Sequence, residues 1–138
     1  MNPYDDPARL LRRVLAMNAV TSAAFGAAFL VAGRPLAALL GCAPAFLWAF
    51  GAGLLAFAAH LGHVARKPAI ARGEALYFAV VDAAYVAGTA IVLLGWPDLL
   101  TGTGRLFFAL VADAVAVFSV LEFVGYRRLT QAPSLAAA

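Results

Sequence analysis

Several polar or ionisable side chains lie within long apolar segments of this chain, where lipid would offer them no hydrogen bonds. A charged side chain near the centre of a bilayer is strongly disfavoured unless protein or water surrounds it. These residues are therefore expected to contact one another or water, and not lipid. The predicted polar cluster, a candidate substrate or proton site, consists of Asn18, Ser22, His60, Asp82, Tyr85 and Glu122.

Asp82 is the member of this cluster best placed to carry a proton, because it is the one charged residue in the apolar run 75–94. Intramembrane carboxylates serve as proton relays in pumps and transporters. Alternatively, Asp82 accepts an inter-helix hydrogen bond from Asn18, Ser22 or Tyr85 and only holds helices together. The sequence leaves both interpretations open.

Asp113 and Glu122 are nine residues apart in the last apolar segment. At about 100° per residue, this spacing places them on opposite sides of a helix. Asp113 is therefore a candidate contact to another helix, a partner subunit or a water-filled pocket. For Glu122 the alternative to the cluster is a side chain that extends to the nearby membrane surface.

His60 and His63 are three residues apart and share one helical face. They are weak candidates for a metal or haem ligand, since imidazole suits zinc and iron; histidines at a membrane surface give the same pattern. The single cysteine, Cys42, excludes an internal disulfide and a cysteine-based metal cluster. No nucleophile-and-base pattern is present, which favours a protein without catalytic activity, and the sequence does not indicate a cofactor.

The composition is that of a membrane protein. Of the 138 residues, 64% are hydrophobic and only 12% are charged, and the mean hydropathy is +0.90. Soluble domains carry about twice that share of charge, so a lipid bilayer is the expected environment. The net charge of +3 does not indicate nucleic-acid binding, because the basic residues lie between the apolar runs and not along one helical face.

The apolar runs predict an all-α fold, an integral membrane four-helix bundle that forms one domain over residues 1–129. Asp6 and Pro7 form a helix-start signal before the first run. Residues 130–138 are expected to be disordered. The predicted spans cover residues 10–33, 45–65, 74–95 and 104–126.

The basic residues also predict the orientation of the spans. Eight of the ten fall before or at the start of the first span, in the middle loop or after the last span, and only Arg34 and Arg105 lie on the other side. Cytoplasmic loops carry the excess of lysine and arginine. The prediction is therefore an up-down-up-down topology with both termini in the cytoplasm.

Small residues give the second and third spans smooth surfaces. Gly51, Gly53 and Gly62 lie on the second span, and Gly88 lies on the third. Such residues let helix backbones approach closely in membranes, which predicts tight packing and little room for a central cavity. Phe107 and Phe108, near the start of the fourth span, are expected to face lipid.

The hairpin 54–94 carries a recognisable pattern. Ala-Arg-Lys-Pro ends its first helix, Glu-Ala follows, and Asp-x-x-Tyr-Val-x-Gly begins at Asp82. The chain resembles a loosely defined group of small four-span bacterial inner-membrane proteins without an established activity. This resemblance implies a multi-pass protein of the bacterial inner membrane and supplies no site residues. Small multidrug transporters differ, since their essential glutamate lies in the first span, where this chain has only Asn18.

Three functions remain as hypotheses. The first is a non-enzymatic membrane protein that works as a homo-oligomer or as an accessory subunit of a larger membrane complex, with lipid and another membrane protein as its partners. The second is a small-molecule or ion transporter with Asp82 as the proton-coupling carboxylate. The third is a membrane metal- or cofactor-binding protein that uses His60 and His63.

Overall fold

The computed structural model describes residues 8–131 and is entirely helical over that range apart from short connections. Four helices are long and apolar enough to cross a membrane, which confirms the all-α, four-span prediction and is consistent with a multi-pass membrane protein. The helix-start signal at Asp6 and Pro7 lies outside the described residues. The five α-helices are α1 (Arg9–Val31), α2 (Gly33–Leu40), α3 (Pro44–Ala65), α4 (Arg72–Gly95) and α5 (Gly102–Gln131), with a 3-10 turn at Pro97–Leu99.

The end of α5 differs from its predicted bound. The helix continues to Gln131, beyond the expected end at residue 126, and includes the first two residues of the predicted tail. Thr130 supports this last turn, since its hydroxyl donates a hydrogen bond to the Arg127 carbonyl at 2.8 Å. Residues 132–138, the rest of that predicted tail, lie outside the described residues.

The short helix α2 was not predicted. Gly33 and Pro35 do interrupt the first span, but the chain resumes helical geometry at once, because a proline in a first helical turn leaves no hydrogen bond unmade. Gly41 ends α2 in the left-handed conformation, with φ of 79°, which a glycine adopts without steric cost. The Gly41 N–H then bonds the Ala37 carbonyl at 2.9 Å, so α2 is a capped eight-residue connector between α1 and α3.

The helices pack as two pairs. α1 packs mainly on α3, and α4 packs mainly on α5, with a smaller contact between α1 and α5. At the α1–α3 contact the backbones touch. A Cβ added to Gly26 would lie 2.8 Å from the Gly51 carbonyl oxygen, and a Cβ added to Gly51 would lie 2.8 Å from the Gly26 carbonyl oxygen. Within the second pair, the Ser119 hydroxyl donates to the Ala79 carbonyl at 2.9 Å.

Two apolar clusters close the bundle at its ends. The first joins the start of α1, the end of α3 and the start of α4 around Leu11, Leu61 and Phe78. The second joins α1, α2, α3 and α5 around Phe29 and Leu47. The polar residues of α1, α4 and α5 lie between these clusters.

The loop between α3 and α4 is fixed by charged side chains. The Arg12 guanidinium donates to the Ala65 carbonyl at 3.1 Å and also to the carbonyls of Lys67 and Pro68. Lys67 forms an ion pair with Glu74, whose other oxygen accepts the backbone N–H of Ala71 at 3.2 Å. These contacts fix the start of α4 and, through it, the depth of Asp82.

Candidate functional site

Asn18 is the centre of a buried hydrogen-bond network that joins three helices. Its side-chain nitrogen donates to Asp82 Oδ2 on α4 at 2.7 Å and to Glu122 Oε1 on α5 at 3.0 Å. Its oxygen accepts the Ser22 hydroxyl at 3.2 Å, one turn along α1. All four side chains are buried, so the structure brings together four of the six residues of the predicted cluster.

Glu122 is the most deeply buried of these residues, with no exposed surface. The alternative in which its side chain extends to the membrane surface is therefore wrong. The neighbouring small residue Gly125 leaves room for Leu11, whose side chain covers this part of α5. One carboxylate oxygen of Glu122 bonds Asn18, and the other, Oε2, is buried with no hydrogen-bond partner within the described part of the chain.

The charge of this network is not balanced by a basic side chain. Within residues 8–131, neither Asp82 nor Glu122 forms an ion pair or hydrogen bond with a Lys, Arg or His. Two carboxylates that contact one amide nitrogen repel each other when both are ionised. A proton held in the network, or a cation brought by a ligand, would balance this charge.

A cavity of about 610 Å³ lies beside the network. Asn18, Ser22 and Asp82 form its polar end, and the rest of its wall is almost wholly apolar. Glu122 does not line it and reaches the network through its hydrogen bond with Asn18. The apolar wall includes Phe25, Phe29, Phe50, Phe57, Phe107 and Phe118, which come from α1, α3 and α5.

This cavity corrects two expectations. Small residues were expected to close the bundle, yet Gly53 on α3 lines the cavity with no atom within 4 Å of where its Cβ would stand. Phe107 and Phe108 were expected to face lipid, but both belong to the second apolar cluster and line cavities. Their aromatic rings pack inward because α2 and Phe29 form a surface that covers them.

A second cavity of about 630 Å³ lies on the other side of Phe50, Tyr85 and Phe108, which line both spaces. It is bounded by the α2–α3 connection around Cys42 and by the second half of α4. The Tyr85 ring stacks on Phe50 at 6.0 Å between centroids, and its hydroxyl is buried without a hydrogen-bond partner within the described residues. Tyr85 therefore belongs to the cavity wall and not to the Asn18 network.

The remaining candidates lie elsewhere. His60 is exposed at the surface, where its ring packs 5.0 Å from that of Phe78 and 5.7 Å from that of Tyr77. His63 is also exposed, and the described residues contain no group of three His, Cys, Asp or Glu side chains placed to hold a metal ion. Asp113 is exposed on the outer face of α5.

Sequence reasoning found the polar end of the site but missed its aromatic wall. A signal was present, because the polar stripe of α1 continues as phenylalanine: Asn18, Ser22, Phe25 and Phe29 are spaced by four, three and four residues. On α5 the same spacing joins Phe108, Val111, Val115, Phe118 and Glu122. Residues at this spacing share one helical face, so each stripe assigns the aromatic residues to the face that carries the polar ones.

No protein-family model, curated protein or solved structure matches this chain at a significant level.

Proposed function

We propose that this protein is a transporter of the bacterial inner membrane that binds a small molecule in the 610 Å³ cavity, with Asp82 as the proton-coupling carboxylate. The observation that supports this most directly is the position of Asp82, at the boundary between an apolar cavity and a buried network in which no basic side chain of residues 8–131 takes part. Asn18 orients Asp82, and Glu122, hydrogen-bonded to the same amide nitrogen, would be a second proton acceptor. A ligand and a proton would compete for the same carboxylate.

The transport test is a proton measurement, because the substrate is unidentified. Proteoliposomes with internal pyranine and an imposed pH gradient are challenged in turn with amines, amino acids, carboxylates and sugars. The signal from protein-free liposomes is subtracted, because permeant amines and carboxylic acids dissipate a pH gradient without any protein. We expect at least one class to dissipate the gradient with the wild-type protein and with Asp98→Asn, a loop carboxylate outside the cavity. We expect none to do so with Asp82→Asn. Equal proton movement with Asp82→Asn, or none with the wild type, would refute the proposal.

We also propose that the four long helices cross the membrane in up-down-up-down order with both termini in the cytoplasm. The lysine and arginine distribution supports this order, as does the first apolar cluster, which joins the start of α1 to the end of α3 and the start of α4. The α2–α3 connection would then face the periplasm, and the loop with Arg66 and Lys67 the cytoplasm.

Cys42, the single cysteine, tests this orientation. Burial raises the pKa of its thiol, so the reactive thiolate fraction is small at neutral pH. Labelling is therefore carried out at about pH 8.5, near the ordinary thiol pKa. A membrane-impermeant maleimide should label Cys42 in intact cells. Ala71→Cys in a Cys42→Ala background should react only after permeabilisation. The reverse pattern would contradict the proposed orientation.

A second candidate function is assembly with another copy of the chain through α5. Asp113 is exposed on α5 between two exposed apolar side chains, Leu110 and Val117. In a bilayer this face would place a carboxylate in lipid, which is strongly disfavoured. A second copy packed on α5 would remove Asp113 from lipid and could share a proton with it.

Cysteine cross-linking tests this assembly. Val117→Cys, one turn from Asp113, and Val20→Cys on α1 start from similar exposure, 58% and 71%. In a Cys42→Ala background, we expect oxidised membranes to contain a disulfide-linked dimer for Val117→Cys and none for Val20→Cys. Monomer alone for both variants, or equal dimer for both, would contradict a specific α5 interface. An accessory subunit of a larger complex would give cross-links to other proteins and none to itself.

A further inference from the structure

We infer that the ligand of the central cavity is an amphiphilic organic cation, with one ammonium-type centre at Asp82 and an apolar, preferably aromatic, body against the phenylalanines. This inference rests on the proposed function, since it names the substrate class of the same site. It follows from the charge of the polar end, the chemistry of the wall and the side on which the cavity opens.

The polar end of the cavity favours a positive charge. Asp82 lines the cavity, and Glu122, which does not, accepts a hydrogen bond from the same Asn18 amide nitrogen. Glu122 Oε2 is buried without a partner among the described residues, so the network retains unused acceptor capacity. Because no basic side chain in that part of the chain contacts either carboxylate, an anionic ligand would meet only repulsion here. A ligand cation would supply the missing positive charge.

Charge balance also gives the exchange stoichiometry. When the cavity is empty, one proton on the carboxylate pair leaves a single negative charge. When a monovalent cation binds at Asp82 and that proton is released, the site holds two carboxylates and one ligand cation. Its net charge is again a single negative charge. One proton would therefore leave for each cation that enters, and the same carboxylates would serve both.

The wall of the cavity suits an aromatic cation. Aromatic faces attract cations, and organic ammonium groups are often held among several such rings. Here several phenylalanines and Tyr85 line the space next to Asp82. A volume of about 610 Å³ also falls within the range in which drug-sized ligands bind, and it is far larger than a metal ion or simple ammonium requires.

The cavity opens at surfaces that a bilayer would cover, since Gly53 on α3 and Leu110 on α5 both line it and are exposed. Gly53 on α3 lines the first cavity and Gly88 on α4 lines the second, yet both are exposed at the surface, and no atom lies within 4 Å of the point where a Cβ on either would stand. The α3–α4 side is therefore not sealed by packing. A ligand that enters there must partition into lipid first, as an amphiphilic cation does and a sugar or amino acid does not.

A pair of probes of the same size and opposite charge tests this inference. Tetraphenylphosphonium is a cation, and tetraphenylborate is an anion of nearly the same shape. Equilibrium binding to protein in nanodiscs is measured for each, with empty nanodiscs subtracted. We expect saturable binding of tetraphenylphosphonium, release of about one proton per cation bound, and no saturable binding of tetraphenylborate.

Three variants complete the experiment. Asp82→Asn should weaken tetraphenylphosphonium binding by at least about tenfold, the effect of losing one favourable ion pair. Asp98→Asn should bind as the wild type does. Gly53→Leu should also lose binding, because its side chain fills the cavity while the carboxylates remain; its thermal unfolding, and that of Asp82→Asn, shows whether the fold persists.

The outcomes separate the ligand class from the function. Equal binding of the two probes, or undiminished cation binding by a folded Asp82→Asn, would overturn the inference. If cations fail to bind while another class moves protons in the gradient assay through Asp82, the transport proposal stands and the ligand class is wrong. If cations bind at Asp82 without any proton movement, the ligand class stands and the transport proposal is wrong.

Discussion

The two sides of α3 pack in opposite ways. Towards α1, Gly51 and Gly26 meet backbone to backbone, and an added Cβ on either would lie within 2.8 Å of the other's carbonyl oxygen. Towards α4, aromatic side chains bridge the space, with Phe57 on Phe78 at 5.8 Å and Phe50 on Tyr85 at 6.0 Å between centroids. One side is a closed contact, and the other is the wall of a cavity.

This difference shows that a small residue closes a helix contact only where the facing helix comes within contact distance of it. Gly51 faces Gly26, and the helices touch. Gly53, two residues along, faces the space lined by phenylalanine, and no atom lies near it. Rings hold the helices apart, and the glycine then enlarges the gap. The same residue type therefore seals α1 to α3 and opens α3 to α4.

The largest effect is expected from Gly51→Leu, which attacks the closed side. The new side chain meets the Gly26 backbone and the Phe29 and Leu30 side chains, and the α1 backbone can only move away as a whole. Overpacking of this kind costs about 3 kcal/mol. Reversible unfolding in mixed micelles should show that loss. Gly53→Leu is the matched control and should leave the free energy of unfolding nearly unchanged; equal losses would mean that both sides are closed.

Asn18→Leu should have the next largest effect, because Asn18 sets how far α4 stands from α1. Leucine has the same branched arrangement of side-chain heavy atoms as asparagine but leaves Asp82 and Glu122 without their shared donor. Buried polar groups left unpaired cost about 2 kcal/mol. Thr21→Val is the control, since the Thr21 hydroxyl bonds only the Met17 carbonyl of its own helix. If the two variants lose the same free energy of unfolding, the Asn18 network does not set the distance between α1 and α4.

The number and character of the long helices could be predicted, because the length and apolarity of a segment are local properties of sequence. The interruption at Gly33 and Pro35 was also readable. The short helix α2 was not, since an eight-residue helix leaves a weak periodic signal and depends on its contacts with α3 and α5. The extension of α5 to Gln131 was missed because the span was ended where the apolar run meets Arg127 and Arg128. Nothing in residues 126–131 opposes a helix, so the helix continues beyond the apolar run.

The polar cluster could be predicted in part because depth alone selects its members. Asn18, Asp82 and Glu122 lie at similar distances from their helix ends, and lipid offers none of them a partner. Depth does not show which side of its helix a residue occupies, however. The sequence therefore predicts His60 as a member of the cluster, although it lies at the surface. The cavity was not predictable from composition, because whether Gly51 or Gly53 touches a neighbour depends on the opposite helix.

Ser119→Ala should have a smaller effect, on the contact between α4 and α5 that forms the far wall of the open side. The change removes the hydrogen bond to the Ala79 carbonyl, and inter-helix hydrogen bonds in membranes contribute about 0.6 kcal/mol. Thr130→Val removes a hydroxyl that bonds the Arg127 carbonyl of its own helix and should cost less. A loss above that of Asn18→Leu would mean that this pair, and not Asn18, positions α4.

The smallest effect is expected from Gly88→Ala. This change tests whether Gly88 on α4, like Gly53 on α3, borders a space between the two helices that no other atom fills. No atom lies within 4 Å of the position where the new methyl group would stand, so the substitution meets no steric cost. Alanine is the better helix former by up to about 1 kcal/mol in water, and the free energy of unfolding should stay constant or rise slightly. A clear loss would mean that another molecule, such as a lipid or a second copy, occupies this gap in the membrane and that the methyl group displaces it. Gly53→Ala, measured alongside, locates that occupant: a loss at both glycines places it across the whole α3–α4 opening, and a loss at Gly88 alone places it in the second cavity.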